Sequence, residues 1–297
     1  MLDAARLWAC LGYPDGPPRL PSAKLGPKTD HADAVLHRLT LHTGSADIAG
    51  LYLCPAGPGP HPAVLYCHAH GNRYDRGADE LIEGRPALQS PYGSALAKLG
   101  IASLSIDLAP FGARQSQGPE TALAKAASWQ GRTLMGDMLA ELSQALDWLV
   151  GRPEIDAGRV ATLGLSMGGT HAYWLAALDP RIAAAAHLCV FSDIAPLIAQ
   201  GTHDLHGPYM TVPGLLTFGD MADVAALIAP RPQFVGLGAL DPLTPDLPDS
   251  PALIRLHAAY STCPEALRVI VSPDTGHVET PDMRRETLAF LVKALKP

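Results

Sequence analysis

The stretch Arg159-Val160-Ala161-Thr162-Leu163-Gly164-Leu165-Ser166-Met167-Gly168-Gly169-Thr170 decides the fold. Arg159 to Gly164 reads as a strand and Met167 to Leu178 as a helix. Between them Gly164-Leu165-Ser166-Met167-Gly168 matches G-x-S-x-G in the strand–turn–helix context that this pattern requires. The reason is steric. A strand that turns directly into a helix holds its central residue in strained backbone angles, and its neighbours must be tiny so the chains can approach. Such a turn exposes the Ser166 hydroxyl at the sheet edge. It also aims the Met167 N–H and the helix N-terminus at the place where negative charge would develop.

Outward from this turn, strand-like and helix-like patterns alternate. Val35–Leu41, Ile48–Leu53, Ala63–Cys67, Ile101–Ile106, Ile182–Leu188, Gln233–Gly238 and Leu267–Val271 read as strands. Helices are expected from Ser90-Pro91 to about Leu99, over Thr133–Val150, Pro251–Ser261 and Pro281–Leu295. The alternation argues an α/β fold built on a mostly parallel, doubly wound sheet with helices on both faces. Residues 1–30, rich in Pro and Gly, read as an irregular N-terminal arm. Residues 191–228 interrupt the alternation and read as a small cap or lid insertion. The expectation is one domain over 1–297.

A serine hydroxyl needs a base, and the base needs an orienting carboxylate. In this fold they follow in the order serine, acid, histidine, at the carboxyl ends of strands. Asp241 follows the strand ending at Gly238, and His277 follows the strand ending at Val271. Asp246 and Asp249 are rivals on the same loop as Asp241, and a turn-forming role before Pro242 is its other reading. Asp274 stands too near His277 to be the first choice. The loop after Cys67, His68-Ala69-His70-Gly71-Asn72, should supply the second oxyanion donor, and the His70 N–H is favoured beside that of Met167. His68, Asp107 and His206 are candidates for touching substrate, although Asp107 reads more readily as a loop brace with Arg114. A His-x-His metal site with His203 or His206 is conceivable, but no carboxylate spacing supports it, so no metal is expected. His171 and Trp174 read as core. Trp129, His187, Phe191, His203, Tyr209, Phe218 and Met221 could shape a pocket, and no more than two of this group together with His206 are expected to do so.

Composition narrows the function classes. The 297 residues are 47% hydrophobic and 17% charged, with 28 Gly and 28 Pro, which suits a folded domain with a large core. The formal charge of −7, with no Lys/Arg run, argues against nucleic acid. Five cysteines without Cys-x-x-Cys argue against a disulfide framework or a structural zinc. No signal-like segment and no uninterrupted 18-residue apolar run is present, so no membrane association is expected and the expected compartment is the cytoplasm. Asp193, Asp204, Asp220 and Asp223 near the insertion, with no Lys or Arg there, disfavour an anionic substrate.

Taken together, His68 to Gly71, Asp107 to Arg114, the Gly164–Gly169 turn, Pro213 to Leu216, Leu227 to Pro232, Asp241 and Gly276-His277 resemble the α/β-hydrolase superfamily. Within it they are similar to the dienelactone-hydrolase-like and acetyl-xylan-esterase-like branch, over about residues 35–295. The resemblance implies Ser166 as nucleophile, Asp241 as acid and His277 as base. Dienelactone hydrolases carry a cysteine where Ser166 stands, which favours ordinary ester cleavage here. The expected activity is hydrolysis of small carboxylic esters, of acetyl or short-to-medium acyl chains, through an acyl-enzyme and without a cofactor. An amidase or peptidase, a carbon–carbon bond hydrolase, and a non-catalytic binding protein of this fold are the other readings. The expected partner is a small-molecule ester, and homo-oligomerisation stays open.

Overall fold

The computed structural model describes residues 2–20, 22–31, 34–245 and 250–296. Its strands are β1 (Ser22–His31), β2 (Ala34–His42), β3 (Asp47–Pro55), β4 (His61–Cys67), β5 (Ala102–Ile106), β6 (Ile155–Leu165), β7 (Ile182–Leu188), β8 (Gln233–Gly238) and β9 (Leu267–Ser272). They form one sheet in the order β1-β2-β3-β5-β4-β6-β7-β8-β9. The pairings β1–β2, β2–β3 and β3–β5 are antiparallel. Every pairing from β5 onward is parallel. The central parallel strands are mostly apolar because both faces are covered; every residue of β5 and β8 is buried.

The helices are α1 (Ala4–Leu11), α2 (Glu80–Glu83), α3 (Tyr92–Lys98), α4 (Glu120–Trp129), α5 (Leu134–Val150), α6 (Met167–Leu178), α7 (Ile194–Gln200), α8 (Met221–Ala226), α9 (Pro251–Ala259) and α10 (Pro281–Ala294). One apolar layer joins α1, α5, α6, α8 and α9 to one face of the sheet. A second joins α2, α3 and α10 to the other. The α/β-hydrolase arrangement expected from the sequence is therefore present. Among the described residues, no helix is long and apolar enough to cross a membrane.

Three expectations need correction. Residues 1–30 are not an irregular arm. Asp3 caps α1 by accepting the Arg6 N–H at 2.8 Å, Gly12 ends it in the left-handed region, and Leu7, Trp8 and Leu11 are buried beneath it. Ser22–His31 then adds an edge strand. Its mostly polar residues hide it from a periodicity search, and its register slips between Leu25 and Lys28, around Pro27. Glu120–Trp129, where the sequence patterning points to no helix, forms α4; its Ala-rich sequence carries only a weak apolar stripe. Helix α3 begins at Tyr92 with Pro91 at its cap position, and Ser90 supplies no side-chain cap.

Residues 191–228 hold α7, three short 3-10 turns and α8. Only the first part lies over the strand ends. Helix α8 packs back on the core, where the Met221 sulfur accepts the Tyr173 hydroxyl at 3.2 Å and the Trp174 indole N–H at 3.3 Å. Asp220 caps α8 and also accepts the Ile194 and Ala195 N–H groups at 2.7 and 3.0 Å. Asp193 returns the favour at the Ala222 N–H, 2.9 Å away. These two acids tie one end of this segment to the other.

Candidate active site

Ser166 sits between β6 and α6 at φ 57° and ψ −127°, a region that non-glycine residues rarely occupy. The glycines around it are required by contact. A Cβ on Gly164 would lie 2.2 Å from the Gly168 carbonyl carbon, and one on Gly168 would lie 2.0 Å from the Cys67 carbonyl oxygen. The second contact presses α6 against the end of β4, which brings the loop after β4 beside Ser166. Met167 is the first residue of α6, so its N–H has no intrahelical partner. Among the described residues, neither that N–H nor the His70 N–H meets an acceptor.

Asp241 and His277 come from the loops after β8 and β9. Gly238 makes their approach possible, because a Cβ there would lie 2.1 Å from the Gly276 carbonyl oxygen. The Leu240 N–H also donates to the Thr275 carbonyl at 2.9 Å, joining the two loops. His277 Nδ1 lies 2.7 Å from Asp241 Oδ2, while Asp241 Oδ1 accepts the Leu243 N–H at 2.9 Å. A carboxylate only accepts, so Nδ1 carries the hydrogen and Nε2 is left with its lone pair. The Asp241 side chain is fully buried and that of His277 about a quarter exposed. Both Ser166 and His277 line one cleft of about 580 Å³. Asp246 and Asp249 lie outside the described residues.

The loop after β4 is held from two sides by buried carboxylates. Below it, Glu80 accepts the Ala69 N–H at 3.1 Å and the Tyr66 hydroxyl at 2.6 Å, and pairs with Arg85. Above it, Glu120 at the start of α4 takes His70 Nε2 at 2.6 Å, the Tyr74 hydroxyl at 2.9 Å and the Tyr209 N–H at 3.0 Å. Burial pushes the Glu120 carboxyl up. The donors around it, His70 first, outweigh burial and hold it below the ordinary glutamate range. Glu279, two residues after His277, accepts the Gln89 N–H and pairs with Arg284, anchoring the histidine loop to the α3 and α10 layer. None of these three glutamates was singled out from the sequence. For Glu120 the one local signal was Gly118-Pro119-Glu120, an acid placed to open a helix.

Two expected substrate contacts are overturned. His68 is fully buried, outside the cleft lining. Its Nε2 accepts the Leu108 N–H at 3.1 Å and its Nδ1 donates to the Ala69 carbonyl at 3.2 Å, so it braces strand ends. Burial lowers its pKa to about 3. Asp107 likewise accepts the Ala78 and Ala113 N–H groups at 2.7 and 2.9 Å and fixes its own loop. Arg114 pairs with Glu141 and reaches only the Asp107 main-chain carbonyl.

His206 does face the cleft, donating to the Leu243 carbonyl at 3.1 Å, and burial lowers its pKa. Of the pocket-shaping candidates Tyr209 lines the cleft with it. His203 lines an adjoining apolar pocket of about 490 Å³ with His206. Trp129 is exposed, and His187, Phe191 and Met221 are core. Phe218 lies under the Arg6 guanidinium. His171 is core too, its Nδ1 donating to the Met167 carbonyl at 2.8 Å, as is Trp174. Among the described residues no three metal-ligating side chains converge. Of the acids near the insertion only Asp204 lines the cleft; Asp193 and Asp220 are spent as caps.

Sheet order, the strained turn at Ser166 and the family match define a hydrolase of the α/β-hydrolase superfamily. Residues 48–224 match the model described as X-Pro dipeptidyl-peptidase (S15 family), and the chain belongs to that family. It is 38% identical over 240 residues to the Bacillus subtilis (strain 168) protein named "Putative hydrolase YtaP", covering 80% of either chain. Its fold is similar to an acetyl xylan esterase from Paenibacillus sp. R4, with TM-score 0.68, 19% identity, and 100% and 95% of the two chains covered. It is also similar to a glucuronoyl esterase from Solibacter usitatus, with TM-score 0.70, 14% identity, and 99% and 92% covered. At such identities these structures speak for the fold alone.

Proposed function

We propose that the protein is a serine esterase that cleaves small neutral carboxylic esters through Ser166, His277 and Asp241. The observation carrying this reading is the 2.7 Å His277–Asp241 pair opening on the same cleft as the strained Ser166. In the first step Ser166 Oγ attacks the ester carbonyl carbon and its proton passes to His277 Nε2. The tetrahedral oxygen takes its hydrogen bonds from the Met167 and His70 N–H groups. His277 then gives its proton to the departing alcohol, and the acyl group stays on Ser166. Water, losing a proton to His277, releases the acid and restores the serine. Asp241 holds the ring in the Nδ1–H tautomer and balances its charge while it is protonated.

The cleft lining favours neutral substrates. It carries Glu120 and Asp204 and no Lys or Arg among the described residues. An acyl chain of short to medium length suits a cleft of this size. The S15 family match favours a second reading, cleavage of a peptide bond after proline by the same residues.

Wild type and Ser166→Ala should be assayed on p-nitrophenyl esters from acetate to long acyl chains, and on X-Pro p-nitroanilides. Ester turnover that falls by several orders of magnitude in the variant is the expected result. Activity confined to the anilides would replace the esterase with the peptidase, and full activity without Ser166 would remove the serine mechanism.

A further inference from the structure

We infer that Glu120 is a positioning residue: its buried carboxylate fixes the His70 ring, and through it the His70 N–H offered to the oxyanion. The inference rests on the oxyanion role proposed above for that N–H. Three donors converge on two oxygens. Oε2 accepts His70 Nε2 and the Tyr74 hydroxyl, and Oε1 accepts the Tyr209 N–H. The side chain is 2% exposed, so water does not compete for these bonds.

The ring has one allowed tautomer. Its Nδ1 lies 3.0 Å from the Asn72 N–H, which can only donate. Nδ1 therefore keeps its lone pair, Nε2 carries the hydrogen, and that hydrogen needs an acceptor where Glu120 stands. Gly71 and Asn72 are both at positive φ, 52° and 54°, so the loop bends sharply right after His70 and has little regular structure to hold it. A ring fixed at both nitrogens, one to its own loop and one to α4, supplies that hold. The same carboxylate bonds the Tyr209 N–H in the 191–228 segment, so loop, α4 and cleft roof share one anchor.

An amide cannot replace it. A glutamine offers one accepting oxygen, and whichever way it turns its NH2 meets another donor. Glu120→Gln should lower kcat on a p-nitrophenyl ester roughly 10- to 100-fold with KM within about twofold, because a displaced donor weakens the transition state more than binding. A rise in KM with kcat intact would overturn the assignment. His70→Ala keeps the main-chain N–H but removes the ring that ties the loop to Glu120 and to the Asn72 N–H, so it tests the same idea if Glu120→Gln folds poorly. It should lower kcat in the same way, and a wild-type kcat would overturn it. The double variant should be little slower than the slower single one, whereas multiplying losses would show that Glu120 acts elsewhere. Nitrogen-15 NMR of the histidine rings needs no activity and so stands apart from the ester reading. The His70 ring should be protonated at Nε2 in wild type and lose its carboxylate-shifted proton signal in Glu120→Gln, and an Nδ1-protonated ring would overturn the inference.

Discussion

Asp241 uses both carboxylate oxygens on donors, His277 Nδ1–H and the Leu243 N–H. Asparagine would put an NH2 group against one of them. Either the loop loses the Leu243 bond or the ring turns to the tautomer that hides its lone pair from Ser166. Asp241→Asn should therefore cut kcat by a factor on the order of 10⁴ with KM nearly unchanged, measured on the best p-nitrophenyl ester. A loss below tenfold would mean that another carboxylate orients His277. That Ser166, Asp241 and His277 lie at one edge of the sheet was legible in the sequence, because each follows a strand end: a strained turn for the first, a loop for the other two. His68 and Asp107 also follow strands, and nothing local separates a side chain that faces the cleft from one that turns back to cap its own loop. Glu120 was illegible for a different reason. Its three partners lie 46 to 89 residues away in sequence.

At the level of elements, the loops after β8 and β9 can meet only because residue 238 has no side chain. Gly238→Ala would put a methyl 2.1 Å from the Gly276 oxygen and 2.5 Å from that of Thr275, and both are main-chain atoms that cannot swing aside. The loops must separate, and with them Asp241 and His277. A displacement near 1 Å at a catalytic group costs about 100-fold, so kcat should fall by roughly that factor. The hydrogen bond from Leu240 to Thr275 should break with it, lowering the thermal midpoint by a few degrees. Wild-type kcat in a folded variant would show that the loops adjust without moving the pair. The central strands could be read from sequence because burial on both faces writes a continuous apolar run. Helix α1 and strand β1 could not. The Pro and Gly residues between 12 and 27 masked a helix and an edge strand whose stability comes from their neighbours.

Across the whole molecule, buried imidazoles link stability to pH. Burial lowers the pKa of His68 to about 3 and of His171 and His187 to about 4. Each is neutral when folded, and its donors and acceptors fit that form. In His187, Nε2 accepts from Gln233 at 2.9 Å while Nδ1 faces the Val190 carbonyl. The unfolded chain binds protons near pH 6.5, so it holds more protons than the native state between about 6.5 and 4. Stability is therefore lost as pH falls through that window. A shift from 6.5 to about 4 withdraws about 1.4 kcal/mol per histidine between pH 8 and pH 5.5. Glu80, Glu141, Asp107 and Asp193 act in the opposite sense. Their carboxyls are raised by burial, so the native state takes up protons first as the pH falls. Wild type alone would report the sum of both. His187→Asn isolates one histidine: asparagine can still donate to the Val190 carbonyl but does not titrate. Urea unfolding of both proteins at pH 8 and 5.5 should show the variant less stable at pH 8, with the gap narrowing by about 1.4 kcal/mol at pH 5.5. A gap that stays constant would mean that His187 binds its proton equally in the folded and unfolded chains, and that burial in the α6 layer does not keep it neutral.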